Sequence, residues 1–483
     1  MKVLLIYPRP SYSKWPSPSW IPLGLSFIAS ALRKEGHQVS IFDRFACQSR
    51  TGTDRLKLDA AMLNRIQDFR PDLIGLNTVS PLIYDTVECV NLIRASFPGP
   101  IVAGGHHATA LPELTLLKIA GLDGVVEGEG EGPMVELAGG KNPGSIPGLW
   151  WKGEKGEILQ TDPSLNLDLD HLPLPALDLL DMAFYTRPER YAIRGHYLST
   201  LSLLTSRGCI RKCDFCTESM TYGAAVRFHT PEYVLDWIGK ALAEYPVQGI
   251  YFHDNDFLID ETRARAICEG ILSKGLHKRI KWSIQTRVDR VHEDILKLLK
   301  KAGCIAIEMG IESGLQRQLD SVHKDTTVEL NERAIHLCRR ERISVQVYMM
   351  TGFEGETISD LEQNLQWVKR VNPNTFYWFP LQIHPGTALY RKKGEQFFEN
   401  HDWTERDISG YYERDALSSI LPSERRAWMK RNYGPFHKWR RRRNFVKVNP
   451  PGKVLSFLRQ ELRQFMHKLS APTDGTLETS EKS

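Results

Sequence analysis

Nowhere does the chain hold the roughly 18 or more consecutive apolar residues that a membrane-spanning helix needs. Residues 1–8 lack the basic start, long apolar stretch and small-residue cleavage site of a secretory signal, and read as a strand entering a fold. A cytoplasmic protein is the expectation. Cysteine is scarce: 8 in 483 residues, three of them within residues 209–216. That excludes a secreted disulfide framework and leaves one ligand site plus scattered thiols. Neither charge sign dominates, and a formal net charge of +5 gives no reason to expect a nucleic-acid partner. Only residues 471–483 form a polar tail of the kind expected to be disordered.

What is present is a globular composition, 41% hydrophobic with 11 Trp and 16 Tyr, in a chain long enough for two or three domains. Short apolar strands at residues 3–7, 39–42, 73–76, 101–103 and 124–126 alternate with amphipathic helical patterns at 23–34, 58–69 and 86–95. This is the pattern of an α/β, doubly wound Rossmann-like domain, whose ligand binds beyond the carboxyl ends of its strands. Residues 141–195 are rich in Pro, Gly and Asp and read as a linker with a small hairpin. Six further strands, near 201–205, 249–252, 281–284, 305–309, 345–350 and 376–381, again alternate with helices. They suit a full or partial β/α (TIM-like) barrel with its chemistry at the C-terminal strand ends. The basic block Lys438 and Arg440 to Arg443 precedes a helical pattern over residues 454–469.

Directly after the first barrel strand comes Thr205-Ser206-Arg207-Gly208-Cys209-Ile210-Arg211-Lys212-Cys213-Asp214-Phe215-Cys216. A structural zinc site is one reading of the cysteines, but zinc there takes four ligands and the loop supplies three, with His229 the residue that could complete it. The other reading is a 4Fe-4S cluster bound through three thiolates, its fourth iron open to substrate. Cys209, Cys213 and Cys216, with Phe215 before the last, resemble the CxxxCxxC signature of radical S-adenosylmethionine (SAM) enzymes. The resemblance implies that the open iron chelates the amino and carboxylate groups of SAM, and that electron transfer yields a 5'-deoxyadenosyl radical. By the same resemblance, later strand-end motifs make Asp254, Arg287 and Glu312 contacts to the polar groups of SAM. Glu354 and His384 depart from the family pattern, which puts a proline and an aromatic at those positions.

The N-terminal segments Pro22-Leu23-Gly24-Leu25, Gly104-Gly105-His106-His107 and Gly128-Glu129-Gly130-Glu131 resemble the cobalamin-binding members of that family. Thr78, Ser80, Gly104, Gly105, Gly128 and Glu129 are then the expected cobalamin contacts, because a corrin with a nucleotide tail needs close backbone approach. The first histidine of the chain is His37, so the loop after the first strand holds no histidine for cobalt. The implied organisation is a cobalamin-binding domain at 1–140, a linker at 141–195, a radical SAM barrel at 196–395, a mainly helical C-terminal region at 396–470 and a tail at 471–483.

The resemblance implies three cofactors, a 4Fe-4S cluster, SAM and cobalamin, and an electron donor such as flavodoxin or ferredoxin. The expected activity is methyl transfer to an unactivated carbon or phosphorus centre of a small-molecule, lipid or natural-product substrate. The alternative is a radical cyclisation, rearrangement or oxidation without methyl transfer. RNA methylthiotransferases share the barrel but need a second three-cysteine cluster, and the N-terminal domain has only Cys47 and Cys89. Cys268, Cys304 and Cys338 are too scattered for an auxiliary cluster. A sensor that binds both cofactors without cleaving SAM is a further, non-enzymatic reading. The basic C-terminal region reads first as a capping helix for the barrel, then as a peripheral membrane contact.

Overall fold

Val3, Leu4, Leu5 and Ile6 are each at most 1% exposed, as a strand covered on both faces requires. In a computed structural model, which describes residues 1–9, 21–51, 54–164, 167–223, 225–393, 399–403 and 417–459, they form β1 (Lys2–Tyr7). Parallel pairing joins it to β2 (Gln38–Asp43) and β3 (Leu73–Asn77). The sheet continues with β4 (Ile101–Gly104) and β5 (Gly124–Val126). The linker hairpin, β6 (Leu149–Lys152) and β7 (Ile158–Gln160), does not stand apart. It adds two antiparallel strands to the edge, so the first sheet has seven strands and runs on to Gln160. Its partner is β5, and Trp150 and Trp151 pack on the cores from strands too short to signal burial by periodicity.

The second sheet is wholly parallel and its strands lie in chain order: β8 (Thr200–Leu203), β11 (Gly249–Phe252), β12 (Lys281–Gln285), β13 (Cys304–Glu312), β14 (Ser344–Thr351) and β15 (Thr375–Pro380). Unbroken sequential order with a crossover helix at each step is the geometry of a partial β/α barrel. The helices begin where the sequence offers caps: Thr230, Asp260 and Thr327 each accept from a first-turn N–H, and Thr357 with Asp360 forms a capping box. Strand β13 extends three residues beyond the expected 305–309, and the extension ends at Glu312.

The two units share a core. Phe27, on the helix Leu23–Lys34 of the first unit, meets Trp237 of the barrel helix Pro231–Glu244 edge-on at 5.7 Å. Helix Gly434–Val448 packs its Phe436 and His437 on Phe376 of β15, Arg441 lies over Tyr377, and Arg440 donates to Asn372 and to the Pro373 carbonyl. Two arginines of the basic block are thus built into the barrel. Residues 460–469 of the expected last helix, and the tail, lie outside the described residues; 451–459 are helical. Among the described residues no helix is long and apolar enough to cross a membrane.

Candidate active site between the two units

After β8 the chain forms β9 (Ser206–Arg207), which pairs antiparallel with β10 (Arg227–Phe228). The cysteine loop is therefore an excursion closed at its base. Gly208 sits at that base with φ 98°, where a Cβ would stand 2.2 Å from the Ala225 carbonyl oxygen, so only glycine fits. Two side chains pin the approach from behind. Asp254, at the end of β11 and fully buried, accepts from Thr205 N at 2.5 Å, Thr205 Oγ1 at 2.5 Å and Ser206 N at 3.0 Å. Arg263 donates to the Thr205 carbonyl at 2.8 Å and the His229 carbonyl at 2.8 Å. Asp254, expected among the SAM contacts, thus has its carboxylate engaged by the base of the cysteine loop.

The loop itself is half-buried at Cys209, Cys213 and Cys216. Asp214 N donates to the Val322 carbonyl at 3.1 Å, the Asp214 carbonyl accepts from Leu389 N at 3.1 Å, and Cys216 N donates to the Cys213 carbonyl at 3.1 Å. Burial pushes the Cys213 thiol up, with Lys324 and Arg287 pulling the other way, and pushes Cys216 up to about 12. Metal binding at these thiols must therefore displace protons. Among the described residues no three His, Cys, Asp or Glu side chains form a group that could hold a metal ion as they stand. His229 is stacked on Tyr233 at 3.9 Å, with Nδ1 on Asp170 at 3.1 Å. Three thiols on one loop can each take one iron of a cluster. Cys268, Cys304 and Cys338 are buried in the core.

Around Cys213 the structure gathers Arg287, Glu312 and Lys324, all close enough to act on its thiol. Glu312 closes β13 at φ 63°, a left-handed conformation costly for a non-glycine, where the register with β14 shifts between Gly310 and Glu312. Its carboxylate accepts from Lys324 Nζ at 2.7 Å. Arg287 donates to Asp289 at 3.1 Å and to the carbonyls of Lys324 and Asp325 at 3.2 and 2.9 Å. Lys324 was not among the expected site residues. Burial works against its ammonium, yet Glu312 and the Cys213 sulfur outweigh that and hold its pKa up. No motif marks it, since a loop returning 12 residues after Glu312 brings it there.

Beyond the carboxyl ends of the first sheet lies a cleft of about 200 Å³, lined by Gly75, Leu76, Asn77, Gly104, Gly105, His106, Gly128 and Glu129 from that unit. Leu204, Arg207, Thr221 and Tyr222 line it from the barrel side. Gly105 has φ 111°, and a Cβ there would stand 2.9 Å from the Thr78 carbonyl oxygen; Gly128 has φ 82°. Thr78 and Ser80 stand behind this wall. Thr78 Oγ1 is buried without a hydrogen-bond partner among the described residues, and Ser80 Oγ meets His107 Nδ1 at 2.9 Å. Glu129 lines the cleft, but its carboxylate is held by Arg227 at 2.5 Å and Arg207 at 3.3 Å. A glycine-lined cleft with an orphan hydroxyl behind it fits the tail of a cobalamin, while His106, on Thr221 Oγ1 at 2.7 Å, spans the two units.

Comparison with known proteins agrees with this geometry. Residues 17–138 match the B12 binding domain and residues 203–368 the Radical SAM superfamily. An uncharacterized methyltransferase of Pyrococcus horikoshii is 30% identical over 398 residues, covering 81% of this chain and 82% of its own. The anaerobic magnesium-protoporphyrin IX monomethyl ester cyclase of Rubrivivax gelatinosus is 26% identical over 474 residues, covering 92% and 81%. The fold superposes with a TM-score of 0.68, at 20% identity, on the radical SAM methyltransferase TsrM from Kitasatospora setae, solved with cobalamin and a 4Fe-4S cluster bound; the match covers 82% of this chain and 75% of that one. The chain belongs to the cobalamin-dependent radical SAM enzymes.

Proposed function

We propose that this enzyme transfers a methyl group from SAM, by way of cobalamin, to an unactivated carbon or phosphorus centre of a small-molecule, lipid or natural-product substrate. The carrying observation is that Leu204, Arg207, Thr221 and Tyr222, flanking the cysteine loop, also line the cobalamin cleft. Methyl relay needs the sulfonium of SAM to approach both cofactors, and a shared wall supplies that proximity. Bound cobalamin would supply the methyl acceptor and donor, and the cluster the electron that cleaves a second SAM. On the protein's side, Arg287, Glu312 and Lys324 orient the amino-acid end of SAM at the loop, and Gly104, Gly105 and Gly128 admit the cobalamin tail.

The cyclase likeness supports a second reading, in which the same radical oxidises or cyclises substrate without methyl transfer. Product analysis separates the two. Anaerobic turnover with reductant and extracts of candidate substrates should release S-adenosylhomocysteine together with 5'-deoxyadenosine; 5'-deoxyadenosine alone would leave the cyclase reading.

The C-terminal helix favours a substrate met at an anionic membrane surface. Residues 425–460 carry 12 Lys or Arg and no Asp or Glu. On helix Gly434–Val448, Lys438, Trp439, Arg442, Arg443, Val446 and Lys447 are exposed, a concentration of cations that an anionic surface attracts. The protein should float with vesicles of phosphatidylglycerol and phosphatidylcholine, not with phosphatidylcholine alone, and should release at about 0.5 M salt as surface charges are screened. Retention by RNA but not by vesicles would overturn the membrane assignment.

A further inference from the structure

Two residues before the first cluster cysteine, Arg207 turns back into the N-terminal unit. Its Nη2 meets Glu131 Oε1 at 2.7 Å and its Nη1 meets Glu129 Oε1 at 3.3 Å. The guanidinium also lies 5.2 Å from the centre of the Phe27 ring. Opposite Arg207 on the two-residue ladder, Arg227 grips the same Glu129, at 2.5 and 3.0 Å, and the Leu167 carbonyl at 2.9 Å. Arg207, Glu129 and Glu131 are each less than 9% exposed. Two arginines from the base of the cysteine loop and two glutamates from the cobalamin side thus form a buried, charge-balanced lattice.

The place of this lattice matters more than its strength. Apolar packing such as Phe27 on Trp237 holds the units together but resists sliding weakly. Guanidinium forks on carboxylates fix both distance and angle. Glu129 and Glu131 flank Gly130, and Gly128 to Glu131 form one wall of the cleft, to which Arg207 also contributes. On its other side Arg207 is joined through Gly208 to Cys209. One lattice therefore ties the wall of one cofactor site to the base of the other.

We propose that Arg207, locked by Glu129 and Glu131, is a positioning residue that sets the separation of the two cofactor sites and so the division of SAM between methyl transfer and reductive cleavage. The inference rests on the methyltransferase reading above. In the first outcome the methyl group moves as a cation equivalent to the electron pair of reduced cobalt, leaving S-adenosylhomocysteine. In the second, one electron from the reduced cluster breaks the bond from sulfur to the 5' carbon, giving methionine and a 5'-deoxyadenosyl radical that takes a hydrogen atom from substrate or, where none is given, from an organic buffer component such as citrate. Only the first needs both sites in register.

The test uses the full chain reconstituted with iron, sulfide and cobalamin, reduced with titanium(III) citrate and given SAM without substrate for a single turnover. Compared at equal bound cobalamin, read from the corrin absorption, Arg207→Gln is expected to keep the cluster's electron paramagnetic resonance signal and to lower 5'-deoxyadenosine far less than S-adenosylhomocysteine. S-adenosylhomocysteine should fall about a hundredfold, the cost of a misplacement near 1 Å. Arg207→Lys should recover part of it, and Glu131→Gln, a milder change, should fall between. In the chain without cofactors, amide hydrogen exchange in Arg207→Gln should rise together at residues 128–132 and 208–216. An unchanged product ratio in Arg207→Gln, or an equal fall of both products in Arg207→Gln and Glu131→Gln, would overturn the proposal. Wild-type enzyme that releases no S-adenosylhomocysteine would overturn the methyltransferase reading instead.

Discussion

Cys213→Ala is expected to bring SAM cleavage to background, because two remaining thiolates cannot hold a cluster whose other iron must stay open to SAM. Iron per chain, cluster absorption after anaerobic reconstitution and 5'-deoxyadenosine release should all collapse together. Stability should hardly change: Cys213 is half-buried on a loop, and such a truncation costs within about 1 kcal/mol. An unaltered thermal unfolding midpoint beside lost iron would separate ligation from misfolding. Persistent SAM cleavage would sink the cluster assignment. Reconstitution should also slow as pH falls, since burial keeps Cys213 and Cys216 protonated until iron displaces the protons.

Local signals in the sequence carried the alternation of strands and helices and the cysteine loop. Short apolar runs, helical periodicity and a CxxxCxxC spacing depend on neighbours a few residues away, and the strands and helices they announce reappear in the fold. What sequence hid is set by contacts across long separations. Glu129 sits in a glycine-rich loop that suggested a cofactor contact, yet its carboxylate is taken by Arg207 and Arg227, 78 and 98 residues on. Lys324 enters the site because the chain after β13 folds back on Glu312. The β6 and β7 hairpin looked like linker because its pairing with β5 at the sheet edge depends on a partner that local pattern cannot name. Asp254 carried a strand-end motif, while its hydrogen bonds to Thr205 and Ser206 follow from parallel pairing of β11 with β8.

That pairing makes Asp254 a side chain whose loss should cost much stability near the site. Asp254→Ala would leave Thr205 N, Ser206 N and the Thr205 hydroxyl without their acceptor, and the 7% exposed Arg263 with only Asp260 and Asp170 as counter-charges. Breaking a buried charge arrangement by removing one partner costs about 3–5 kcal/mol, and orphaned donors act in the same direction. Urea unfolding should therefore show a loss of that size, and cluster content should fall because the base of the cysteine loop is no longer held. Asp254→Asn keeps one acceptor oxygen for the two backbone N–H groups but turns an NH2 towards Thr205 Oγ1, so a smaller loss, about 1–3 kcal/mol, is expected. The KM for SAM in this milder variant distinguishes the two possible roles of the carboxylate. A support for the loop predicts lost stability and cluster with an unchanged KM in the loaded fraction. A direct contact to SAM predicts a raised KM with an unchanged unfolding midpoint, and that outcome would refute the supporting role.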